Sequence, residues 1–280
     1  MLTLDIGPLS LPIDRFLLLL CMTVALVVGG LVARQYKVSV ASPLINIFLI
    51  SLLVARIAFV LRYFSEYQPF WLSMLDIRDG GFDIATGVIT ALLLACYYAW
   101  RQQRQRRALV AGLIAGAMLW GMTQFALWAI EDKAQQLPQA IVADRHGQSL
   151  DVSTVASGKP RAINLWATWC PPCRREMPVL EKAQQQYSQV AFIFVNQGEH
   201  QQVIDSFLQQ ESLSLDNVLA DKNAIMGQLI GSRALPTTLF VDAQGQLIDA
   251  HLGELSPATL KAKLERVTDT MNEESEDNSL

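Results

Sequence analysis

The sequence predicts two units of different class: an α-helical domain of four membrane spans, residues 1–132, followed by an α/β domain, residues 140–268. Nearly all long apolar runs lie in residues 1–130, and each approaches the roughly 20 residues that a bilayer core requires. From residue 140 onward, short apolar strand patterns alternate with helical ones, as in α/β folds. A pair of cysteines three positions apart stands where one such strand gives way to a helix.

The four predicted spans cover residues 11–33, 44–62, 82–100 and 108–130. A cleaved signal peptide is disfavoured for the first run, because no Lys or Arg precedes Arg15 and more apolar runs follow. Basic residues concentrate in the first and third loops: Arg34, Lys37, Arg101, Arg104, Arg106 and Arg107. Because such loops stay in the cytoplasm, the N-terminus and everything after Ile130 are expected in the periplasm of a Gram-negative bacterium.

Three residues within the spans invite a functional interpretation. Arg56 is a charge inside the second span, which is costly and suggests function; a structural ion pair, for example with Asp83, is the alternative. Cys21 and Cys96 suggest an electron relay through the membrane. At a rise of about 1.5 Å per residue they fall at different depths, too far apart for a disulfide, and buried apolar cysteines are the simpler interpretation.

The motif Trp169-Cys170-Pro171-Pro172-Cys173 carries the clearest chemistry. It follows the strand pattern of residues 162–167 and opens a helical pattern. Cysteines three apart at a helix start share one face and lie within disulfide range. The helix start also stabilises a thiolate at Cys170, and prolines fit the first turn. The motif predicts a dithiol in which Cys170 attacks a disulfide and Cys173 resolves the mixed disulfide.

A zinc site is the alternative for this spacing, since pairs of cysteines also begin zinc motifs. It needs a second pair of ligands, and the other cysteines lie in apolar runs while the three histidines are scattered singly: His146, His200 and His251. Redox chemistry is therefore favoured, and no metal or other cofactor is expected. The formal net charge of −4 and the absence of an aromatic-studded basic patch disfavour a nucleic-acid partner.

A polar linker, residues 133–139, precedes the α/β domain. Its elements follow in chain order: hairpin 140–152, strand 161–167, helix 171–187, strand 190–196, helices 200–210 and 224–230, strands 237–241 and 246–251, and helix 256–267. The last helix begins with a Ser cap and a proline in its first turn. Residues 269–280 are acidic and polar, and we expect them to be disordered.

Two stretches resemble the thioredoxin superfamily and, within it, the TlpA/ResA-like membrane-anchored disulfide reductases. They are Leu165–Pro178, LWATWCPPCRREMP, and Leu235–Asp242, LPTTLFVD, with Gly245 after the second. The resemblance covers the α/β domain and implies a thioredoxin-like fold.

The resemblance also implies a substrate-binding surface formed by Trp169, Leu235, Pro236 and Thr237. Pro236 would be the cis-proline that faces the disulfide, and the backbone of Leu235 would pair with an incoming peptide as an added strand. Trp169 would shield the Cys170 sulfur and shape the docking surface.

Glu176 matches a buried acid of ResA-like proteins. It lies three residues after Cys173, one turn along the same side of the helix. A partly buried carboxylate has a raised pKa and can relay a proton for Cys173. The alternative is a solvated carboxylate paired with Arg174 or Arg175.

The membrane half resembles the start of the prolipoprotein diacylglyceryl transferase family. The matching stretches are Ala55–Tyr63 and Asp79–Gly87. Where that family carries a catalytic His followed by Gly, this chain has Ala85 and Thr86. We therefore expect a membrane module without the transferase chemistry.

Together these observations predict a membrane-anchored, periplasm-facing thiol:disulfide oxidoreductase that acts as a protein-disulfide reductase through Cys170 and Cys173. Its electron donor would be an inner-membrane thiol transporter of the CcdA/DsbD kind, and oxidised periplasmic proteins, such as apocytochrome c, would be its substrates. Alternatives are an oxidase or isomerase of the same fold, a thiol peroxidase, a lipid-modifying transferase with an accessory redox domain, and a binding module without turnover.

Overall fold

A computed structural model describes residues 3–6, 9–68, 71–131, 136–232 and 234–277. The chain divides into two compact units: residues 11–133, and residues 134–280 together with residues 1–10. The predicted linker, residues 133–139, lies partly outside the described residues, as does the end of the predicted acidic tail.

The helical unit contains four long helices at the positions of the predicted spans. Its helices are α1 Ile13–Gln35, α2 Ala41–Arg62, α3 Phe64–Tyr67, α4 Ile84–Arg101 and α5 Arg106–Glu131. Short 3₁₀ turns, Trp71–Leu75 and Ile77–Asp79, lie between α3 and α4. By length and composition, the long helices are able to cross a membrane.

Small residues let α1 and α5 pack closely. A Cβ added to Gly112 would lie 2.6 Å from the carbonyl oxygen of Ala25, and one added to Gly116 would lie 3.2 Å from the carbonyl oxygen of Cys21. Such close approach is how apolar helices associate where water supplies no driving force. Cys21 is buried in this contact, whereas Cys96 on α4 is exposed, and both are free thiols.

Arg56 does not pair with Asp83; its partner is Asp79. The guanidinium Nη1 donates to Asp79 Oδ1 at 2.9 Å and to the Gly81 carbonyl at 2.8 Å. Its other donors reach the carbonyls of Met74 and Asp76. Asp83 instead caps α4 by accepting from the Thr86 N–H at 2.8 Å, so it is already committed to the helix start.

Both charges of the Arg56–Asp79 pair are buried, with 6% and 5% of their surfaces exposed. The Asp79 carboxylate also accepts from the Tyr67 hydroxyl and the Gly81 N–H. Removing one partner of such a pair would leave a buried charge, at a cost of about 3–5 kcal/mol. The contacts support the structural interpretation of Arg56, because its donors tie the segment after α3 to α2.

The second unit is built on a seven-stranded sheet. The strands of the chain are β1 Thr3–Ile6, β2 Leu9–Pro12, β3 Ile141–Ala143, β4 Ser149–Asp151, β5 Arg161–Trp166, β6 Ala191–Gln197, β7 Val218–Asp221, β8 Thr237–Val241 and β9 Leu247–Leu252. The sheet order is β4-β3-β7-β6-β5-β8-β9, and β1 and β2 form a separate pair. Strands β5, β6 and β7 run parallel, and the remaining pairs are antiparallel.

Side chains of the central strands alternate between two apolar clusters. Ala162, Trp166 and Phe194 belong to one cluster, while Ile163 and Leu165 belong to the other, as the two-residue period of a strand requires. The helices of this unit are α6 Pro171–Gln186, α7 Gln201–Gln210, α8 Ile225–Leu229 and α9 Pro257–Asp277. Residues of α6, α7 and α9 join the first cluster.

Several elements depart from the sequence prediction, which did not include β1, β2, α3 or the 3₁₀ turns after α3. Strand β7 was not predicted; it has only four residues and is paired between β6 and β3. Helix α9 continues to Asp277, through most of the segment for which disorder was expected. Extending a helix that is already nucleated and packed fixes one residue per added hydrogen bond, so it does not need the apolar content of an independent helix.

Candidate active site

The two cysteines lie at the start of α6, a few residues after the end of β5. Cys170 is the N-cap residue with extended backbone, and Pro171 and Pro172 occupy the first turn. Its sulfur accepts from the Cys173 N–H at 3.3 Å, and its carbonyl accepts from the Arg174 N–H at 3.1 Å. The sulfurs form a disulfide with the Cα atoms 5.3 Å apart. The Cys173 N–H that donates to the Cys170 sulfur and the positive end of the helix dipole favour a thiolate at Cys170 after reduction.

Burial distinguishes the members of the motif. Cys173 is fully buried and Cys170 nearly so, whereas 67% of Trp169 is exposed. Both cysteines belong to the first apolar cluster, and Leu235 packs against the same cluster. The structure therefore places Leu235 against the same apolar cluster as the cysteines and leaves a large aromatic surface at Trp169 exposed.

The remaining residues of the predicted substrate-binding surface lie at the end of the loop before β8 and at the first position of β8. The peptide bond between Leu235 and Pro236 is cis, as the resemblance implies. Thr237 is fully buried and is paired with strands on both sides. Its hydroxyl donates to the Ala234 carbonyl at 2.7 Å. This placement suits support of the loop rather than contact with a substrate.

Glu176 is completely buried beneath the cysteines on α6. Its Oε1 accepts from Asn164 Nδ2 at 2.8 Å and its Oε2 accepts from the Leu255 N–H at 3.0 Å. Burial raises the pKa of Glu176 to about 8, although these two hydrogen bonds act in the opposite direction. The carboxyl group is thus poised to take up or give a proton near neutral pH.

The alternative interpretation of Glu176 as a solvated carboxylate paired with arginine is wrong. Arg174 pairs with Glu211, and Arg175 pairs with Glu254. Both arginines are exposed, and neither reaches the buried acid. Glu254 is close enough to Glu176 to contribute to its raised pKa.

Sequence reasoning missed one residue of this site, Glu199, which follows β6. Its carboxylate accepts from both the N–H and the hydroxyl of Thr168, the residue two positions before Cys170. Asn196 Nδ2 donates to the same group at 2.7 Å. Glu199 therefore fixes the loop that leads to Cys170. A polar Asn-Gln-Gly-Glu stretch that runs from the end of a buried strand into the following loop is the signal that marks this position, since loops at that strand edge carry functional residues.

No metal site emerges from the described part of the chain, where no group of three or more His, Cys, Asp or Glu side chains is arranged to hold an ion. His146 and His200 are exposed, and His251 lies in β9. The groups that the site presents are the disulfide, the buried carboxyl group of Glu176 and the polar contacts of the loop before Cys170.

Comparison with known proteins agrees with this geometry. Residues 132–267 match the Redoxin family. The chain is 30% identical over 145 residues to the thiol-disulfide oxidoreductase ResA of Halalkalibacterium halodurans, covering 51% of this chain and 81% of that protein. It is 30% identical over 167 residues to the thioredoxin-like protein YneN of Bacillus subtilis, covering 56% and 96%. It is 27% identical over 172 residues to the thiol:disulfide interchange protein DsbE of Escherichia coli, covering 58% and 90%.

The raised pKa of Glu176 predicts a pH-dependent stability. Because the folded-state pKa of about 8 exceeds the ordinary 4.5, the fold favours the protonated acid. Its contribution is complete below about pH 4.5 and is lost as the pH rises to about 8, by on the order of 4 kcal/mol. Glu176→Gln should remove this slope. Urea unfolding of the oxidised full-length chain in detergent, read by proteolysis of the α/β unit, measures it.

The control for this measurement is Glu211→Gln, which removes an exposed carboxylate and should keep the wild-type slope. An unchanged slope in Glu176→Gln would show that other groups set the pH dependence.

Loss of the Glu199 carboxylate should slow disulfide exchange by freeing the loop before Cys170. In Glu199→Ala, the Thr168 N–H and Asn196 side chain lose their acceptor, which costs about 1–3 kcal/mol. We expect about tenfold slower reduction of the disulfide by dithiothreitol and faster hydrogen exchange at residues 167–170. Glu181→Ala is the matched control. Glu181 lies farther along α6, and its carboxylate also accepts from a backbone N–H, that of Ser214. Equal slowing in both variants would argue against a specific role for Glu199.

Proposed function

Since the chain belongs to the ResA-like thiol-disulfide oxidoreductases, we propose that it is a membrane-anchored reductase of oxidised proteins in the periplasm. The observation that carries this proposal is the Cys170–Cys173 disulfide at the start of α6 above a buried, readily protonated Glu176. The exposed Trp169 and the Leu235–Pro236 loop supply the surface on which a substrate protein docks.

The reaction transfers two electrons in two exchange steps. In the reduced enzyme, the Cys170 thiolate attacks one sulfur of the substrate disulfide, forms a mixed disulfide and releases the other sulfur as a thiolate. Cys173 then loses its proton and attacks the Cys170 sulfur, which forms the enzyme disulfide and releases the second substrate thiolate. The substrate gains two electrons and leaves as two thiolates, which take up protons from solvent, while the enzyme loses two electrons and the one proton of Cys173.

Glu176 takes part in the second step of this proposal. Burial in an apolar cluster disfavours the thiolate form of a cysteine. Cys173 therefore needs a nearby group that accepts its proton. With a pKa of about 8, the Glu176 carboxyl group changes protonation state near the pH at which a thiol must do so. The hydrogen bonds from Asn164 and Leu255 hold it in place while it changes charge.

The helical unit would anchor the redox unit in the inner membrane. The four long apolar helices support four crossings, and the basic first and third loops support a cytoplasmic location for those loops. The N-terminus and the redox unit would then face the periplasm, where disulfides form. A reductase there requires a donor, for which we propose a thiol transporter of the CcdA/DsbD kind, and apocytochrome c is a candidate substrate.

The resemblance of the helical unit to prolipoprotein diacylglyceryl transferases does not extend to chemistry in this proposal. Ala85, at the position of that family's histidine, lies in the first turn of α4 and offers no proton acceptor. The residues that match the family instead include Arg56 and Asp79, whose buried pair stabilises the unit. We assign this unit a role in anchoring.

Trapping of partners tests the exchange mechanism. Cys173→Ala should leave Cys170 joined to substrates as mixed disulfides, because the resolving thiol is gone. Non-reducing electrophoresis of membranes, followed by mass spectrometry, identifies them. Cys96→Ala removes an exposed free thiol outside the site and should trap nothing. If Cys173→Ala and Cys96→Ala give the same pattern, exchange through Cys170 is not the mechanism.

The direction of electron flow is tested by the reduction potential of the Cys170–Cys173 couple. A reductase should equilibrate with glutathione or dithiothreitol buffers near about −270 mV, the value of thioredoxin, whereas a strong oxidase lies near about −120 mV. Alkylation of the free thiols measures the reduced fraction at each poise. A value at the oxidising end would favour the oxidase, and rapid peroxide consumption without a disulfide substrate would favour the peroxidase.

A further inference from the structure

An unneutralised basic cleft lies at one end of the helical unit. It occupies about 480 Å³ between the end of α1 and the start of α5 and is lined by Tyr36, Gln103, Arg104, Arg106 and Arg107. All five side chains are exposed, so the cleft is accessible. The Arg107 guanidinium interacts with the Tyr36 hydroxyl, which links the first loop to the third.

The charge around this cleft has one sign. Three of the residues that line it are arginines, and the chain carries six cations at or next to the first and third loops: Arg34, Lys37, Arg101, Arg104, Arg106 and Arg107. Among the described residues, none of the six takes part in a salt bridge. The sequence places no Asp or Glu between Arg15 and Ser65 or between Ile84 and Ile130. Like charges at this density repel one another, and an anion between them would relieve the repulsion.

Arginine is the side chain best suited to bind phosphate, because its planar guanidinium donates two parallel hydrogen bonds to adjacent oxygens. Topology signals require only positive charge, which lysine supplies equally well. Here the cleft itself presents three arginines and a tyrosine hydroxyl, a donor set that fits a phosphate group.

The surroundings of the cleft favour a lipid as the source of that phosphate. Trp100 and Tyr97, on the last turns of α4, are 75% and 52% exposed, and aromatic residues at helix ends are typical of the membrane interface. Basic pockets between helices on the cytoplasmic side of membranes bind anionic headgroups. We propose that this cleft binds the phosphate of an anionic phospholipid headgroup. The inference rests on the proposed membrane crossing and is independent of the redox chemistry.

The test uses the full-length chain in nonionic detergent, titrated with short-chain phosphatidylglycerol, with phosphatidylcholine of the same chains, or with inorganic phosphate. Bound lipid is measured by native mass spectrometry. We expect phosphatidylglycerol to bind at least about tenfold more tightly than phosphatidylcholine, since only the former carries net negative charge. Equal binding of the two lipids would overturn the proposal. Displacement of phosphatidylglycerol by inorganic phosphate at equal concentration would assign the cleft to small anions instead.

Variants locate the site. Arg104→Gln with Arg107→Gln should abolish the preference for phosphatidylglycerol. Arg104→Lys with Arg107→Lys keeps the charge and the topology signal, and should bind about tenfold more weakly than wild type because the paired hydrogen bonds are lost. Arg78→Gln is the matched control, because Arg78 is exposed in the loop between α3 and α4, and it should bind like wild type. Wild-type preference in both double variants would place the lipid elsewhere.

Wild-type protein that exchanges disulfides normally but shows no preference for phosphatidylglycerol would overturn the headgroup site and leave the proposed reductase intact. Conversely, loss of disulfide exchange in Cys173→Ala should leave phosphatidylglycerol binding unchanged, which separates failure of the two proposals.

Discussion

The redox unit depends on the complete burial of β5. All six of its residues are buried, with β6 and β8 on either side and an apolar cluster on each face. A strand held in this way fixes the point at which the chain leaves the sheet. The loop that follows, and the start of α6 that carries Cys170, therefore have little freedom, and a dithiol can be placed with its reactive sulfur at a helix start. Core packing and chemistry share the same constraint.

A polar group that is buried within this core needs hydrogen-bond partners, because burying it without them costs free energy. Asn164 of β5 donates to both Glu176 and Thr238, and the Leu255 N–H completes the contacts of the acid. These bonds cross from the central strand to α6, to β8 and to the segment before α9. The same network that lets a carboxyl group be buried thus joins four elements around the disulfide, and it keeps the acid in place whether or not it carries a proton.

Features encoded locally could be predicted from the sequence, and those that depend on tertiary contacts could not. The strand, the cysteine spacing and the helix start around Cys170 lie within one short segment, and the four long helices follow from apolar length alone. Glu199 meets Thr168 across 31 positions, and Arg56 meets Asp79 across 23. The sequence offers several acids as partners for Thr168 and for Arg56, so only the fold selects the one that each of them contacts. Strand β7 is recognised by its neighbours in the sheet rather than by its four residues.

The helical unit shows how charge at a membrane can be assigned to structure or to function. Arg56 lies deep in the unit, yet carbonyl oxygens and Asp79 accept from its donors, so its burial is explained without a ligand. The arginines of the basic cleft are exposed and lack acidic partners among the described residues. A cation whose hydrogen bonds are accepted by groups within the protein stabilises the fold. A cluster of cations that lies beside a cavity and has no acidic partners indicates a ligand from outside the chain. By that criterion Arg56 serves the fold of the helical unit, and the basic cleft is the site to which we assign a ligand.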